Sequence, residues 1–275
     1  MEQKLIHHID AVFAPYGNTD QVKEELTQHL LEKYRELIAD GKTANEAYQT
    51  TINSIGDVAE LIENAAPAPQ ARIVNLSATD LRNTDLANTD VYEGKFSASA
   101  IENSNFSGAG LVNATFKGSD VRESDFQNAN LTGAAFTASD VHASDFRNAN
   151  LTNVSFTACN LRDSQFDDAN LTGTKLNKSD LSGTSFQDAT LTNADFTGSN
   201  VAGVSFEGQT LIGTIFDNIS TGGLKETSFK NATLREVSFH HSDAKKAVFD
   251  GATVDKLTYA SLKGTRADLT NVTVI

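Results

Sequence analysis

The sequence predicts a mainly β solenoid, a four-sided coil, preceded by a small α-helical bundle. Three observations carry this. From Leu76 to Phe216 every fifth residue is Leu, Val, Ile or Phe, 29 consecutive positions without a miss. The phrase Asn-Ala-Asn-Leu-Thr at 128–132 returns at 148–152, so a period of five lies inside a period of twenty. Two of the three prolines, Pro67 and Pro69, stand in "AAPAPQ", and no proline follows. A strand repeats every 2 residues and a helix every ~3.6, so neither explains a register of five. Self-similarity of this kind belongs to a solenoid, whose turns bury their apolar faces on one another.

Residues 1–64 read as a helical module. Leu5, Ile6, Ile9, Val12 and Phe13 form one apolar face, and Val22, Leu26, Leu30, Tyr34, Leu37 and Ile38 a longer one. Asn18 with Gln21 and Thr43 with Glu46 have the spacing of capping boxes, while Gly41 is placed to end the second helix. Ala47, Tyr48, Thr51, Ile52 and Ile55 share a third face; Gly56 stops it, and Asp57 with Glu60 starts a last short helix. Residues 65–71 are a stiff linker.

The coil occupies 72–275. Positions twenty apart stack at about 4.8 Å, the spacing of hydrogen-bonded strands. One column is Leu111, Leu131, Leu151, Leu171, Leu191 and Leu211; two others, through Phe136 and Phe146, are almost wholly phenylalanine. Two residues before each central position stands Ala, Ser, Thr, Gly or Cys, except at Val74, Val154, Val204 and Gln209. Cys159 takes such a place and reads as a small buried filler. After Phe216 the next central residue is Leu224, eight positions on, so three extra residues bulge outward near 217–223. The register then runs through Phe229, Leu234, Phe239, Ala244, Phe249, Val254 and Tyr259. No helix signal closes this end, leaving Leu257, Tyr259 and Leu262 to cap the core or meet a partner. The coil is expected to be continuous, weakest at the frame break.

"ANLTG", "SDFRN" and "ADFTG" resemble the pentapeptide repeat family: a small residue, Asp or Asn, Leu or Phe, then two polar residues. The resemblance implies a right-handed quadrilateral parallel β-helix with four pentapeptides per turn. Residues 22–65 are similar to the permease prefix domain, a helical signalling module, through Lys23-Glu24-Glu25-Leu26, His29-Leu30-Leu31, Tyr34, Gly41-Lys42, Glu46-Ala47 and Gly56-Asp57. In that family membrane segments follow; here a coil does.

The net charge of -14 argues against direct nucleic-acid binding. One Cys excludes a disulfide framework, and no stretch reaches the roughly 18 apolar residues of a membrane span. The opening residues lack the features of a signal peptide, so a cytoplasmic location is expected. A filled core offers no cleft for catalysis, so no catalytic, cofactor or metal site is expected. His240, His241 and Asp243 are the one compact metal-like cluster, and their spacing is poor for a shared ion.

What remains is surface. Two adjacent sides of the coil, centred on the Val141 and Phe146 columns, carry with their corners a net of -10, against +1 for the rest between Leu76 and Phe216. Asp125, Asp145, Asp167, Asp168 and Asp188 project there, expected to be exposed and mostly unpaired, as the candidate partner-binding surface. The side centred on Leu151 is nearly neutral, with Thr132, Thr152 and Thr172 beside Asn130, Asn150 and Asn170. Two functions fit: a non-enzymatic protein-interaction scaffold joined to a signalling-type module, or, as the resemblance implies through the pentapeptide proteins that mimic DNA, occupation of DNA gyrase with protection from quinolones. The acidic side favours mimicry, but DNA presents roughly 28 charges over the ~48 Å of a ten-turn coil, far more than this stripe.

Overall fold

The computed structural model describes residues 2–13, 20–54, 74–220 and 222–275, with side chains left undescribed at position 7 and over 10–13 and 20–26. The chain divides into two compact units, Met1–Gln70 and Ala71–Ile275.

In the first unit, α1 spans Glu2–Phe13, α2 Asp20–Ala39 and α3 Ala44–Ile52. Leu5 and Ile9 of α1, Leu30 and Tyr34 of α2, and Ala47 and Tyr48 of α3 close on one another as a buried core. Ile6 and Ile38, assigned to those faces by periodicity, lie at the margin and stay exposed. Gly41 ends α2 with φ +86°, a left-handed conformation open to glycine at no steric cost. Thr43 and Glu46 form the expected reciprocal capping box. Helix α3 stops at Ile52, capped by Asn53, before the expected Gly56. The Asn18–Gln21 cap, the linker and the helix from Asp57 lie outside the described residues.

The second unit is a β-helix. Parallel bridges join residues twenty apart, from Asn75 with Lys95 to Asp195 with Ile215. Each turn repeats one backbone scheme: Phe146 N–H donates to the Gln165 carbonyl at 2.8 Å, and Asp145 N–H to the Ser124 carbonyl at 3.0 Å. Corners need a left-handed residue, which explains the recurrent Asn there, as at Asn128, Asn148 and Asn153.

The core is as patterned. Phe96, Phe116, Phe136 and Phe156 stack at 4.7, 4.4 and 4.9 Å, with Phe106, Phe126, Phe146 and Phe166 stacked beside them and meeting them edge to face. Small residues at the inner corners do more than fill. Ser104, Ser124, Ser144 and Ser164 each donate a hydroxyl to the central carbonyl of the turn before, at 2.6 to 2.9 Å. Those hydroxyls also accept the N–H of the small residue one turn back, so a buried polar file is fully satisfied. Cys159 replaces one such serine, with its thiol on the Phe136 carbonyl.

Beyond the frame break, bridges are 23 apart, Ser205 with Ser228 and Ile215 with Ser238, then 20 again. Ile219 is buried and Val201 N–H meets the Gly223 carbonyl at 2.9 Å, so the insertion narrows to the three residues 220–222. Strands β1 (Thr210–Ile212), β2 (Thr233–Arg235), β3 (Thr253–Val254) and β4 (Thr273–Val274) form a parallel sheet on the Leu211 side.

Two expectations are corrected. A helix does occur near the end: α4, Lys256–Lys263, begins at Asp255, whose side chain accepts the Thr258 N–H, and ends at Gly264. It replaces pentapeptide turns without losing register, since β3 and β4 remain twenty apart. The signal was Asp255 as an N-cap, hidden beneath a repeat frame that kept Tyr259 at a central position. Leu262 of α4 is buried on the core, while Leu257 is 73 % exposed. Nor does the ladder open at the frame break. The coil keeps one core throughout, and Val201 with Gly223 and Phe206 with Ser228 tie the turns there, whereas the backbone ladder on one side is interrupted one turn earlier, between 183–191 and 203–210.

Candidate functional site

The Phe146 side brings three of the five candidate carboxylates together. Asp125 and Asp145 bridge directly across adjacent turns. Asp145 is in an ion pair with Arg147 at 2.5 Å and its side chain is only 20 % exposed. Hydrogen bonding to Asp145 raises the pKa of Arg147, and the fields of Asp167 and Asp125 add to that. Asp125 accepts the Gln127 N–H at 2.8 Å, and Asp167 reaches the next turn, accepting the Gln187 N–H at 2.8 Å and the Ser185 hydroxyl. Asp168 and Asp188 stand one above the other at the corner, exposed and left-handed at φ +60° and +56°. Gln187 donates to Asp188 at 3.3 Å. The picture of mostly unpaired carboxylates is therefore corrected. A short side chain one residue before the centre lies within reach of the N–H two residues on, and the repeat places a partner there.

The same geometry neutralises the neighbouring side more completely. Arg82 pairs with Asp80 at 2.6 Å, and Arg122 with Asp120 at 2.6 Å and Glu102 at 3.3 Å. The Arg82 hydrogen bond lowers the Asp80 pKa to about 2. His142 lies 3.0 Å from Asp140. Among the described residues Asp125, Asp167, Asp168 and Asp188 have no ion pair, and neither do Asp85 on the same side or Glu123 and Asp163 at the corner it shares with the Val141 side.

On the Leu151 side the polar ladder satisfies itself. Thr132, Thr152 and Thr172 each donate at 2.7 Å to Asn130, Asn150 and Asn170, whose carbonyls also accept the threonine N–H. Asn170 reaches Thr152 at 3.2 Å.

His240 and His241 have ring centroids 6.5 Å apart, while Asp243 pairs with Arg266 at 2.5 Å. Among the described residues no group of three or more His, Cys, Asp or Glu could hold a metal ion. Burial pushes the Cys159 thiol up to about 11, so it carries almost no thiolate at neutral pH. No helix among the described residues is long and apolar enough to cross a membrane.

A coil of twenty-residue turns, with a filled core and polar sides, defines a β-solenoid repeat protein. A pentapeptide repeat region model matches residues 139–216, and a model of nine pentapeptide repeats matches 101–144. Residues 101–216 of the chain are therefore a pentapeptide repeat region. No curated protein matches the chain. Among solved structures it is similar to HetL, a pentapeptide repeat protein involved in heterocyst differentiation regulation from the cyanobacterium Nostoc. That match has 19 % identity, covers 65 % of this chain and 75 % of that one, and has a TM-score of 0.47. Full-length QnrB1, a plasmid-mediated fluoroquinolone resistance protein, matches at 16 % identity over 70 % of this chain and 91 % of its own, with a TM-score of 0.33. A pentapeptide repeat protein of the Arabidopsis thaliana thylakoid lumen matches at 25 % identity over 48 % and 70 %, with a TM-score of 0.25.

Proposed function

We propose that the protein is a non-enzymatic interaction scaffold, whose coil presents a rigid acidic side to a cationic partner protein and whose helical module, residues 1–64, is the signalling-type element. The observation that carries this reading is the unequal compensation of charge. Arginines pair Asp80, Glu102 and Asp120 of the Val141 side within its own plane, whereas Asp168 and Asp188 stand exposed with no ion pair among the described residues. Such a patch steers association, and its pull falls off over a screening length of about 8 Å at physiological ionic strength.

A second reading, occupation of DNA gyrase as a DNA mimic, is favoured by the same acidity. The net of -10, in which Arg147 already offsets Asp145, lies well below the charge of a DNA segment of the same length, so the scaffold is preferred.

The test replaces Asp125, Asp145, Asp167, Asp168 and Asp188 with Asn in the full chain. Binding to the captured partner should slow and lose its salt dependence, and any inhibition of gyrase supercoiling should vanish. Replacing Thr132, Thr152 and Thr172 with Ala is the control. Loss of binding in the threonine variant, with retention in the asparagine variant, would move the site to the neutral ladder.

A further inference from the structure

The interrupted ladder opens a cleft at one end of the acidic side. From Leu86 to Phe229 each remaining turn on that side is tied to the next; the bond from Phe249 to the Asp268 carbonyl, near the end of the coil, is also missing. Phe166 N–H meets the Ser185 carbonyl at 2.8 Å, and Phe206 N–H meets that of Ser228 at 2.7 Å. Between those turns the bonds that the scheme calls for are missing: Phe186 to Ser205, Asp188 to Glu207, Leu191 to Thr210, and the reverse bonds from Ser205 and Thr210. The bridge of Ser185 with Ser205 is missing too. The flanks are closed, with Leu181 to Asn200 at 2.8 Å and Asn193 to Ile212 at 2.9 Å. The opening is a local lens of about 780 Å³, lined by backbone, Ser185, Gln187, Asp188, Glu207 and Gln209.

Its cause is readable in the side chains. Val204 and Gln209 occupy the two inner corners flanking Phe206, where small residues normally sit. Gln209 reaches in and donates to the Phe186 carbonyl, the acceptor a serine hydroxyl takes elsewhere, and its longer side chain props the turns apart. Phe186 and Phe206 stand 5.8 Å apart and tilted by 20°, against 4.9 Å and 6° for Phe126 and Phe146. The other amide atom, Gln209 Oε1, is buried with no hydrogen-bond partner. Leaving a buried acceptor and a row of backbone groups unpaired is costly.

We propose that this cleft is a binding site for an extended peptide segment carrying a basic side chain. Free N–H and C=O groups line each lip on both arms of the corner at Asp188, and they can pair with the backbone of a peptide. The buried Gln209 oxygen and the Asp188 and Glu207 carboxylates call for a donor that is positively charged, and no Lys, Arg or His lines the opening. Lys230 lies outside, 3.5 Å from Glu207, in a half-exposed pair that a ligand can displace at little cost. This deepens the scaffold reading, since it gives the acidic side a shaped subsite for its cationic partner.

The experiment uses the full chain and three capped heptapeptides: alternating Thr and Lys, alternating Thr and Glu, and the Thr/Lys peptide N-methylated along its backbone. Site-resolved amide exchange is the readout. Without peptide, Phe186, Asp188 and Leu191 should exchange faster than their counterparts Phe146, Asn148 and Leu151. The Thr/Lys peptide should slow them about tenfold or more, and the other two should not. Gln209→Ser restores the small corner, so it should close the ladder, slow those amides with no peptide present, and abolish peptide protection. Protection that survives Gln209→Ser overturns the proposal. Peptide binding that perturbs only Asp125 and Asp145 also overturns the cleft but leaves the acidic-side reading standing. No binding by any peptide removes the cleft alone, because the asparagine variant tests the acidic side separately.

Discussion

Replacing Phe146 with Ala tests whether the coil is held by its stacked rings. Phe146 is fully buried, 4.9 Å from Phe126 and 5.1 Å from Phe166, with Phe136 and Phe156 edge-on at 6.1 and 5.6 Å. Truncation removes the ring from four aromatic neighbours at once. The turns cannot sag into the gap, because backbone bonds of 2.7 and 2.8 Å at Phe126 and Phe146 fix their separation. The loss should therefore be the full transfer and cavity cost, on the order of 3–5 kcal/mol. Phe146→Leu is the internal standard: Leu176 fills the equivalent place in the neighbouring aromatic column and is fully buried, so this change should cost ~1.5 kcal/mol or less. Urea unfolding followed by circular dichroism reads both as midpoint shifts at an unchanged slope. If Ala costs no more than Leu, the turns do relax into the void and the stacked-ring account is wrong.

Other outcomes follow from the same geometry. Deleting Ser220, Thr221 and Gly222 should restore the uninterrupted frame with a midpoint change equivalent to ~1 kcal/mol or less, and a large loss would show that the insertion supports the coil. Asp255→Ala should cost about 1 kcal/mol, because α4 loses its N-cap. Burial alone would raise the Asp255 pKa, but the N–H groups of Thr258 and Glu236 outweigh it and lower it. This stabilisation is thus complete above the unfolded carboxylate pKa and fades as pH falls through the lowered folded value. The difference between Asp255→Ala and the parent should shrink in acid melts below about pH 4. Residues 1–64 expressed alone should unfold cooperatively by far-ultraviolet circular dichroism; a disordered fragment would mean that the module needs the rest of the chain.

Much of the coil was legible because its physics is periodic. A central residue every fifth position has one place to go, and the Phe columns, the Cys159 filler and the register beyond Leu224 all follow from that. The helical cores were readable for the same reason, down to the Thr43–Glu46 cap. What escaped was local and non-repeating. Asp255 caps a helix inside an apparently ordinary repeat. Val204 and Gln209 stood out as exceptions to the small-residue rule, yet only the structure shows that two neighbouring exceptions unzip a turn while Val154, alone, leaves its ladder intact. The acidic side was visible as charge, but not the short reach from Asp145 to Arg147 or from Asp167 to Ser185. Those depend on where a corner points its N–H groups, and composition does not record that.

Pairing at a fixed offset of twenty gives the coil a quantised length. Adding or removing one whole turn changes its height by about 4.8 Å and leaves every side in its place. A shift of five would keep the core apolar yet rotate all later side chains by a quarter turn, carrying the acidic side onto its neighbour. Duplication in units of twenty is therefore a silent ruler adjustment, whereas duplication in units of five rewires the surface without disturbing the interior. The three-residue insertion after Ile219, which lengthens the bridge offset to 23 for one turn, does neither. Lineages of such coils can drift freely in extent and in corner insertions, while the azimuth of a binding side is held by arithmetic.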